Sequence, residues 1–599
     1  MICIRIWSKK VIVMFGKVLE VNKNQIRMEN ISHAAQPGIM NYHIIFEEND
    51  RKVVAEIQSC DDKFIDAILV GEIHDGSFTS GVLKKPSFQK PCRMITKSEL
   101  ELLIGKQNYK ESETLLIGKS IVYNGYNVTA NLNDLFSTHF AVLGNTGSGK
   151  SCCVARLIQN ILYQNEIPPV NAHMILFDAF GEYNTAFENI SNLPNINFKN
   201  YTTDTTTATD NLVKIPAYFL EVDDLALLLN ANDSQQLPVI EKALQLVYIF
   251  KSDNARQYKS DIIAKSLLDI LSSGKLAQQI RDQIIAVLTT YNTADINLDT
   301  KIIQPGYVRT LRQCLNIDNQ GKMSAVGLVV DKLSEFNKTD LDSIEIRHDF
   351  VYTLEDLYNA FEFALISEGV LSSDKAFDIA NTLKVRLHSI INSEKREYFD
   401  VQEYMTKDQF MINFFTKFDD HKKVCQIINM NFAYVDDRFA KVLTKIYSKL
   451  FFDFATNLKI RASFPMHIIL EEAHRYVQND TDLEVIGYNI FDRITKEGRK
   501  YGVIMGFITQ RPSELSTTAL SQCSNFIALR MYHPDDLHII GSITSNLSKD
   551  NLEQIKTLRP GMAMTFGTAF SIPSICTMDL PNPMPQSTSV NIKEKWFGK

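Results

Sequence analysis

No two cysteines of this sequence stand in a CxxC pair, and none clusters with histidine. Nine scattered cysteines, an odd number, exclude a disulfide framework and a zinc site and fit a reducing, cytoplasmic setting. Long apolar runs are missing too. At the N-terminus, MICIRIWSKKVIVMF is broken by Arg5, Lys9 and Lys10, so it offers neither a signal-peptide core nor the ~20 apolar residues of a membrane span. Met14 is an alternative start, which would make the residues before it an upstream extension. No other stretch reads as membrane-spanning. Positive charge is not in excess: 63 Lys and Arg against 70 Asp and Glu leave a net −7, which argues against a surface broadly coated for nucleic acid. A local basic lining, for example inside a ring, is compatible with that sum, because net charge averages over everything. Internal repeats and long charge runs are absent as well. What is left is a globular composition, 45% hydrophobic and 22% charged, on 599 residues, which suits two or three domains.

The patterning changes along the chain. Up to about residue 90, GKVLEVNKNQIRM, YHIIFEE, KVVAEIQS and AILVGEI set apolar and β-branched residues between polar turns, with no helical period. This predicts a small β-barrel as a first domain over 1–110, with FTSGVLKKPSFQKPC as a connector. Over 111–205 a short apolar strand (FAVLG), a glycine loop, a helically spaced run (CCVARLIQNIL) and a second strand (HMILFD) follow in turn. That β–loop–α–β order belongs to a parallel α/β sheet. Residues 206–420, with DIIAKSLLDIL, QQIRDQIIAVLTTY and TLEDLYNAFEFAL at i, i+3, i+4 spacing, read as a mostly helical insertion without a catalytic motif. Strands return over 421–580 in VCQIINM, MHIIL, YGVIMGFIT and NFIALRM, and a Pro- and Ser-rich tail, 581–599, ends near Trp596.

Four stretches carry chemistry. Gly144-Asn145-Thr146-Gly147-Ser148-Gly149-Lys150-Ser151 fits the pattern G-x-x-x-x-G-K-[ST] between a strand and a helix, and the nucleotide-contacting set extends to Cys152. Its glycines let backbone N–H groups turn toward phosphate oxygens at the positive end of the helix. Lys150 would reach the β- and γ-phosphates of ATP, and the Ser151 hydroxyl would sit on Mg²⁺. The strand MHIIL ends in Glu471 and Glu472; phosphate cleavage needs one acid on the Mg²⁺ side, Glu471, and one to polarise the attacking water, Glu472. The competing reading is that EEAHRY merely opens a helix with acids suited to its dipole. In FDAFGEY, Asp178 and Glu182 would add contacts to the metal or water, or would be solvated acids of a turn. ITKEGRKYG precedes a strand that ends in Thr509 and Gln510, a polar pair able to sense the γ-phosphate. Arg499, or else Arg493, would serve a neighbouring subunit's nucleotide by cancelling charge in the transition state, unless either is a solvated helix-end cation.

In the order HFAVLGNTGSGKS, ILFDAFGEY, IILEEAHRYV and TKEGRKYGVIMGFITQRPSEL, these pieces resemble the HerA family within the FtsK–HerA group of ATPases. The N-terminal strands look like the barrel that opens such proteins, and LRPGMAMTFGTAFSIP is similar to their last core strands. The resemblance implies a P-loop ATPase core of the RecA/FtsK-like type, with the roles above for Lys150, Ser151, Glu471, Glu472 and Gln510. It further implies a bacterial or archaeal homohexamer that hydrolyses ATP at subunit boundaries and passes double-stranded DNA through its centre. A nuclease or another effector would dock on the barrel, in DNA-end processing or anti-phage defence. The family's usual Asp-Pro-His-Gly-Glu-Tyr turn is changed here, with Ala179 and Phe180 replacing Pro and His. The alternative is an ATP-dependent ring scaffold that regulates a nuclease or a sirtuin-like NAD-consuming enzyme without processive movement; a ring that threads protein has less support.

Overall fold

The computed structural model describes residues 14–597, apart from 32–36, 89–91, 108–112, 164–167, 208–210, 341–342, 346–348, 368–373, 545–546 and 587–591. The choice between Met1 and Met14 as the start turns on residues outside that set. Eight antiparallel strands lie between Met14 and Met94. Burial alternates strictly along Phe64–His74, the period-two signature of a sheet with one face in the core. Met28, Ile44, Phe46, Val53, Ala55, Ile57 and Ile65 fill that core.

The pairing path starts at Met14–Phe15 and ends at Val18–Asn22, so among the described residues no ladder closes the sheet into the expected barrel. Its two ends are nonetheless consecutive in the chain. Between them the Gly16 N–H donates to Glu29 O and the Glu29 N–H to Lys17 O, both at 3.1 Å. The sheet is therefore strongly curled. Glycine is required at that crossing, because a Cβ on residue 16 would stand 2.4 Å from Glu29 O.

The second sheet has eleven strands: β1 Thr114–Ser120, β2 Asn127–Asn131, β3 His139–Leu143, β4 Met174–Asp178, β5 Phe198–Thr202, β6 Ile427–Asn431, β7 Met466–Leu470, β8 Val503–Thr509, β9 Cys523–Ala528, β10 Met562–Gly567 and β11 Ser574–Thr577. Their order is β2-β1-β11-β10-β9-β3-β8-β7-β4-β6-β5, and the run from β9 to β5 is parallel throughout. Parallel strands covered on both faces read as unbroken apolar runs, as HFAVL and VIMGFIT do. Helix α1, Lys150–Tyr163, buries Cys153, Val154, Leu157, Ile158, Ile161 and Leu162, one stripe at i, i+3, i+4 spacing.

Because β8 lies between β3 and β7, with Leu143 opposite Thr509 and Leu470 opposite Phe507, three strand ends meet along one edge. Loops beyond the C-terminal ends of parallel strands are where such sheets bind ligands.

The chain divides into two units. The sheets and the tail belong to one (Met1–Thr203, Met411–Asn479, Ile490–Lys599), while Asp204–Phe410 and Asp480–Asn489 form the other. The second unit is built on helices such as Leu237–Ile249, Ala255–Ser272, Ala277–Thr290 and Leu354–Ser367. It also holds a hairpin, Lys301–Gln304 with Tyr307–Thr310, turned at Gly306 with φ +91°. A cavity of about 880 Å³ lies within this unit, lined in part by Tyr218, Phe219, Tyr248 and Tyr404. No helix among the described residues is long and apolar enough to cross a membrane.

Candidate active site

The loop after β3 is shaped by its neighbours. The Gly144 N–H donates to Thr509 O at 3.2 Å, the Asn145 N–H to Arg530 O at 2.9 Å, and the Gly561 N–H to Ser148 O at 3.1 Å. Gly147 (φ +72°) and Gly149 (φ +101°) take left-handed backbone that side-chain-bearing residues avoid. Helix α1 then begins at Lys150, and the first bond back to the loop is Cys153 N–H to Gly149 O at 2.9 Å. The N–H groups of Lys150, Ser151 and Cys152 precede any intrahelical acceptor and so face the loop. Lys150 is half-buried, and its ammonium lies 3.5 Å from Asn145 O. Burial lowers its pKa, while the charges of Glu472, Glu471 and Glu182 oppose that shift. These same acids place the lysine opposite the end of β7.

Glu471 follows β7 and is 4% exposed. Its N–H donates to Phe177 O at 3.1 Å, and its Oε2 accepts the Ala179 N–H at 3.1 Å. Burial, followed by the nearby Asp178 and Glu182 carboxyls, pushes its pKa well above the usual carboxylate range. Burial and the neighbouring carboxyls both favour its protonated form. Glu472 adopts φ +47°, ψ +47°, a left-handed conformation uncommon for a residue with a Cβ and typical of strained functional positions. Its Oε2 is buried and accepts no hydrogen bond; the nearest cationic candidate is the His474 ring nitrogen at 3.3 Å. Glu471 and Glu472 thus share this edge with the phosphate loop, from which they are far removed in sequence. Gln510 joins them, since the Thr146 hydroxyl donates to its Oε1.

Asp178, expected on the metal side, is buried with its carboxylate engaged by protein donors. Both its oxygens are occupied: Oδ1 accepts from Gly181 N (2.7 Å) and Glu182 N (3.0 Å), and Oδ2 from Tyr183 N (3.0 Å) and Asn429 Nδ2 (3.2 Å). The carboxylate fastens the DAFGEY turn, and it acts on the site through Glu471. Phe180 stands exposed on that turn, with the Arg475 guanidinium 5.3 Å above its ring.

The two candidate arginines lie elsewhere. Helix α2, Ile490–Glu497, and the turn Gly498–Tyr501 lead into the start of β8, the opposite edge of the sheet from the phosphate loop. Arg499 is exposed there, and no carboxylate pairs with it among the described residues. Arg493 stacks over Phe452 at 5.4 Å and lies 4.0 Å from Glu497.

Sequence reasoning passed over Arg530, Gly561 and His474. The first two contribute backbone atoms, which every residue owns. His474 carried a signal, a titratable ring two positions after the acid pair.

The tail is tied to the same region. The Asn582 N–H donates to Gln159 Oε1, Gln159 Nε2 donates to Pro583 O, and the Gln586 N–H donates to Glu182 O, at 2.8, 2.9 and 2.7 Å.

A family described as "Helicase HerA, central domain" matches residues 115–360. The chain is 24% identical over 557 residues to the DNA double-strand break repair helicase HerA of Sulfolobus acidocaldarius, covering 92% of this chain and 85% of that protein. The protein of the same name from Pyrococcus furiosus is 23% identical over 483 residues, 79% and 72% of the two chains. Among solved structures, VirB4 of Thermoanaerobacter pseudethanolicus aligns with a TM-score of 0.44 at 12% identity, covering 78% of this chain and 96% of that one. The sequence matches support placement in the FtsK–HerA group, and together with the joined phosphate loop and acid pair they identify an ATP-hydrolysing enzyme.

Proposed function

We propose that this chain is one subunit of a homohexameric ring that hydrolyses ATP at its subunit boundaries and moves along double-stranded DNA. The observation that carries this reading is the division of the site between two sheet edges. Lys150, Glu471, Glu472 and Gln510 gather at one edge, and the exposed Arg499 stands at the other. A head-to-tail ring is the arrangement in which each subunit's arginine meets the next subunit's phosphate loop.

The residues fit ATP and Mg²⁺. The turned-in N–H groups and Lys150 would hold the β- and γ-phosphates. Ser151 and Glu471 would hold the metal, which when bound neutralises phosphate charge. Glu472, whose Oε2 is buried and accepts no hydrogen bond, would take a proton from the attacking water. Gln510, tied to Thr146, would register the γ-phosphate and pass its state into β8.

DNA as the track is supported by what the archaeal relatives are, DNA double-strand break repair helicases by name. The curled N-terminal sheet would seat a nuclease or another effector, in DNA-end processing or anti-phage defence in the cytoplasm.

The test is ATP turnover with and without duplex DNA, beside a native mass measurement. Duplex-stimulated turnover by a hexamer is the expected result. A monomer whose turnover ignores duplex would overturn the proposal. Partner activity that survives Glu472→Gln would replace the motor by the regulatory scaffold.

A further inference from the structure

Helix α2 ends one turn before β8, and that turn carries Arg499. In the last turn of an α-helix the carbonyls lose their helical donors and need others. Thr495, which is 2% exposed, finds one in a side chain from a different part of the chain, the His139 Nε2 at 2.9 Å from its carbonyl oxygen. His139 is the first residue of β3, the strand that leads to the phosphate loop, and it is fully buried. Its Nδ1 accepts the Met505 N–H of β8 at 2.9 Å. Both ring nitrogens are therefore committed and the tautomer is set, with the proton on Nε2 toward Thr495 and a bare Nδ1 toward Met505.

One imidazole thus joins three elements: the phosphate-loop strand, the neighbouring strand that leads to Gln510, and the helix end that projects Arg499. The turn it anchors is tight. A Cβ on residue 498 would stand 2.6 Å from Val503 O, and Gly502 closes the turn at φ +80°.

We propose that His139 is a positioning residue that holds the Arg499 turn in the register needed by the neighbouring subunit's nucleotide, and so couples a subunit's own phosphate loop to the site it serves. This rests on the ring reading above. An ordinary core histidine would support the fold without selective effect on either site.

The experiment compares His139→Phe, His139→Gln and Arg499→Ala, singly and combined, in the full chain. Phe fills the space and removes both bonds, whereas Gln restores a donor near the position of Nε2. In nucleotide-free protein, amide exchange at 495–500 is expected to quicken in His139→Phe, while the loop at 144–151 stays protected as in the parent. In steady-state assays KM for ATP is expected to hold and kcat to fall about 10- to 100-fold, the scale of a misplaced catalytic group. Gln should recover part of that loss. In the Arg499→Ala background, His139→Phe should cost nothing further. A raised KM, equal loosening of the loop, or losses that multiply with those of Arg499→Ala would overturn the inference. Should Arg499→Ala itself leave kcat intact, the trans-acting arginine fails instead, whatever His139 does. If His139→Phe does not fold, His139→Gln against Arg499→Ala carries the same comparison.

Discussion

Replacing Glu472 by glutamine separates holding a nucleotide from cleaving it. The side chain sits on left-handed backbone, with Oε2 buried, accepting no hydrogen bond and 3.3 Å from the His474 ring, at the edge where Lys150 enters. An amide of the same shape leaves the glycine loop, Lys150 and Ser151 undisturbed but no longer accepts a proton from water. A positioned general base contributes about 10²–10⁴ in rate, or roughly 3–5 kcal/mol of barrier. We expect kcat to fall by that factor while ATP affinity changes by less than about threefold, because ground-state contacts remain. Stability should not suffer: the strained backbone is unchanged and one carboxylate leaves the neighbourhood of the buried Glu471. Phosphate release at saturating ATP, binding of a fluorescent ATP analogue, and urea unfolding together read the three quantities. A variant that binds normally and turns over within about tenfold of the parent would refute Glu472 as the base.

Lys150→Ala should abolish turnover by removing the phosphate-binding cation; full activity in a phosphate-release assay would mean the glycine loop has another purpose. Arg499→Ala should assemble but turn over slowly, and doping it into wild-type rings should poison them; an inert dopant on titration argues against action in trans. Burial holds His139 and His173 at pKa values of about 4 and lowers that of His467, so unfolded chains take up these protons first. Stability is thus full above about pH 6.5 and lost as pH falls toward 4, by on the order of 3 kcal/mol for each of the first two, as urea midpoints across that window will report. Lys199 is buried and donates to Asn413 O, Phe414 O and Thr416 O at 2.7, 3.4 and 2.6 Å. Lys199→Met orphans those carbonyls and should destabilise the core by about 2–3 kcal/mol in the same denaturation experiment.

The phosphate loop and the acid pair are legible in the sequence because each needs particular residue types at fixed spacing. Their meeting is not, because it depends on β8 settling between β3 and β7, a choice made by tertiary packing. Asp178 was legible as important but not as to role: its spacing to Glu182 suits a metal contact as well as a turn, and the four donors around its carboxylate come from the fold, not from the spacing. The N-terminal strands were visible from their alternation, but whether the sheet closes depends on a two-residue crossing at Gly16 that carries no pattern. The hairpin at 301–310 hid inside a segment whose helical periodicity dominates.

The order of the central sheet also sets a problem for synthesis. Strand β3 is flanked only by β8 and β9, both encoded long after it. During translation at ~5–20 residues per second, β3 waits on the order of half a minute with both edges unpaired. Nascent chains that stop within the insertion would therefore display a bare apolar strand, and we expect them to need chaperones or to aggregate. The nucleotide pocket can assemble only after β8 and β9 have been made.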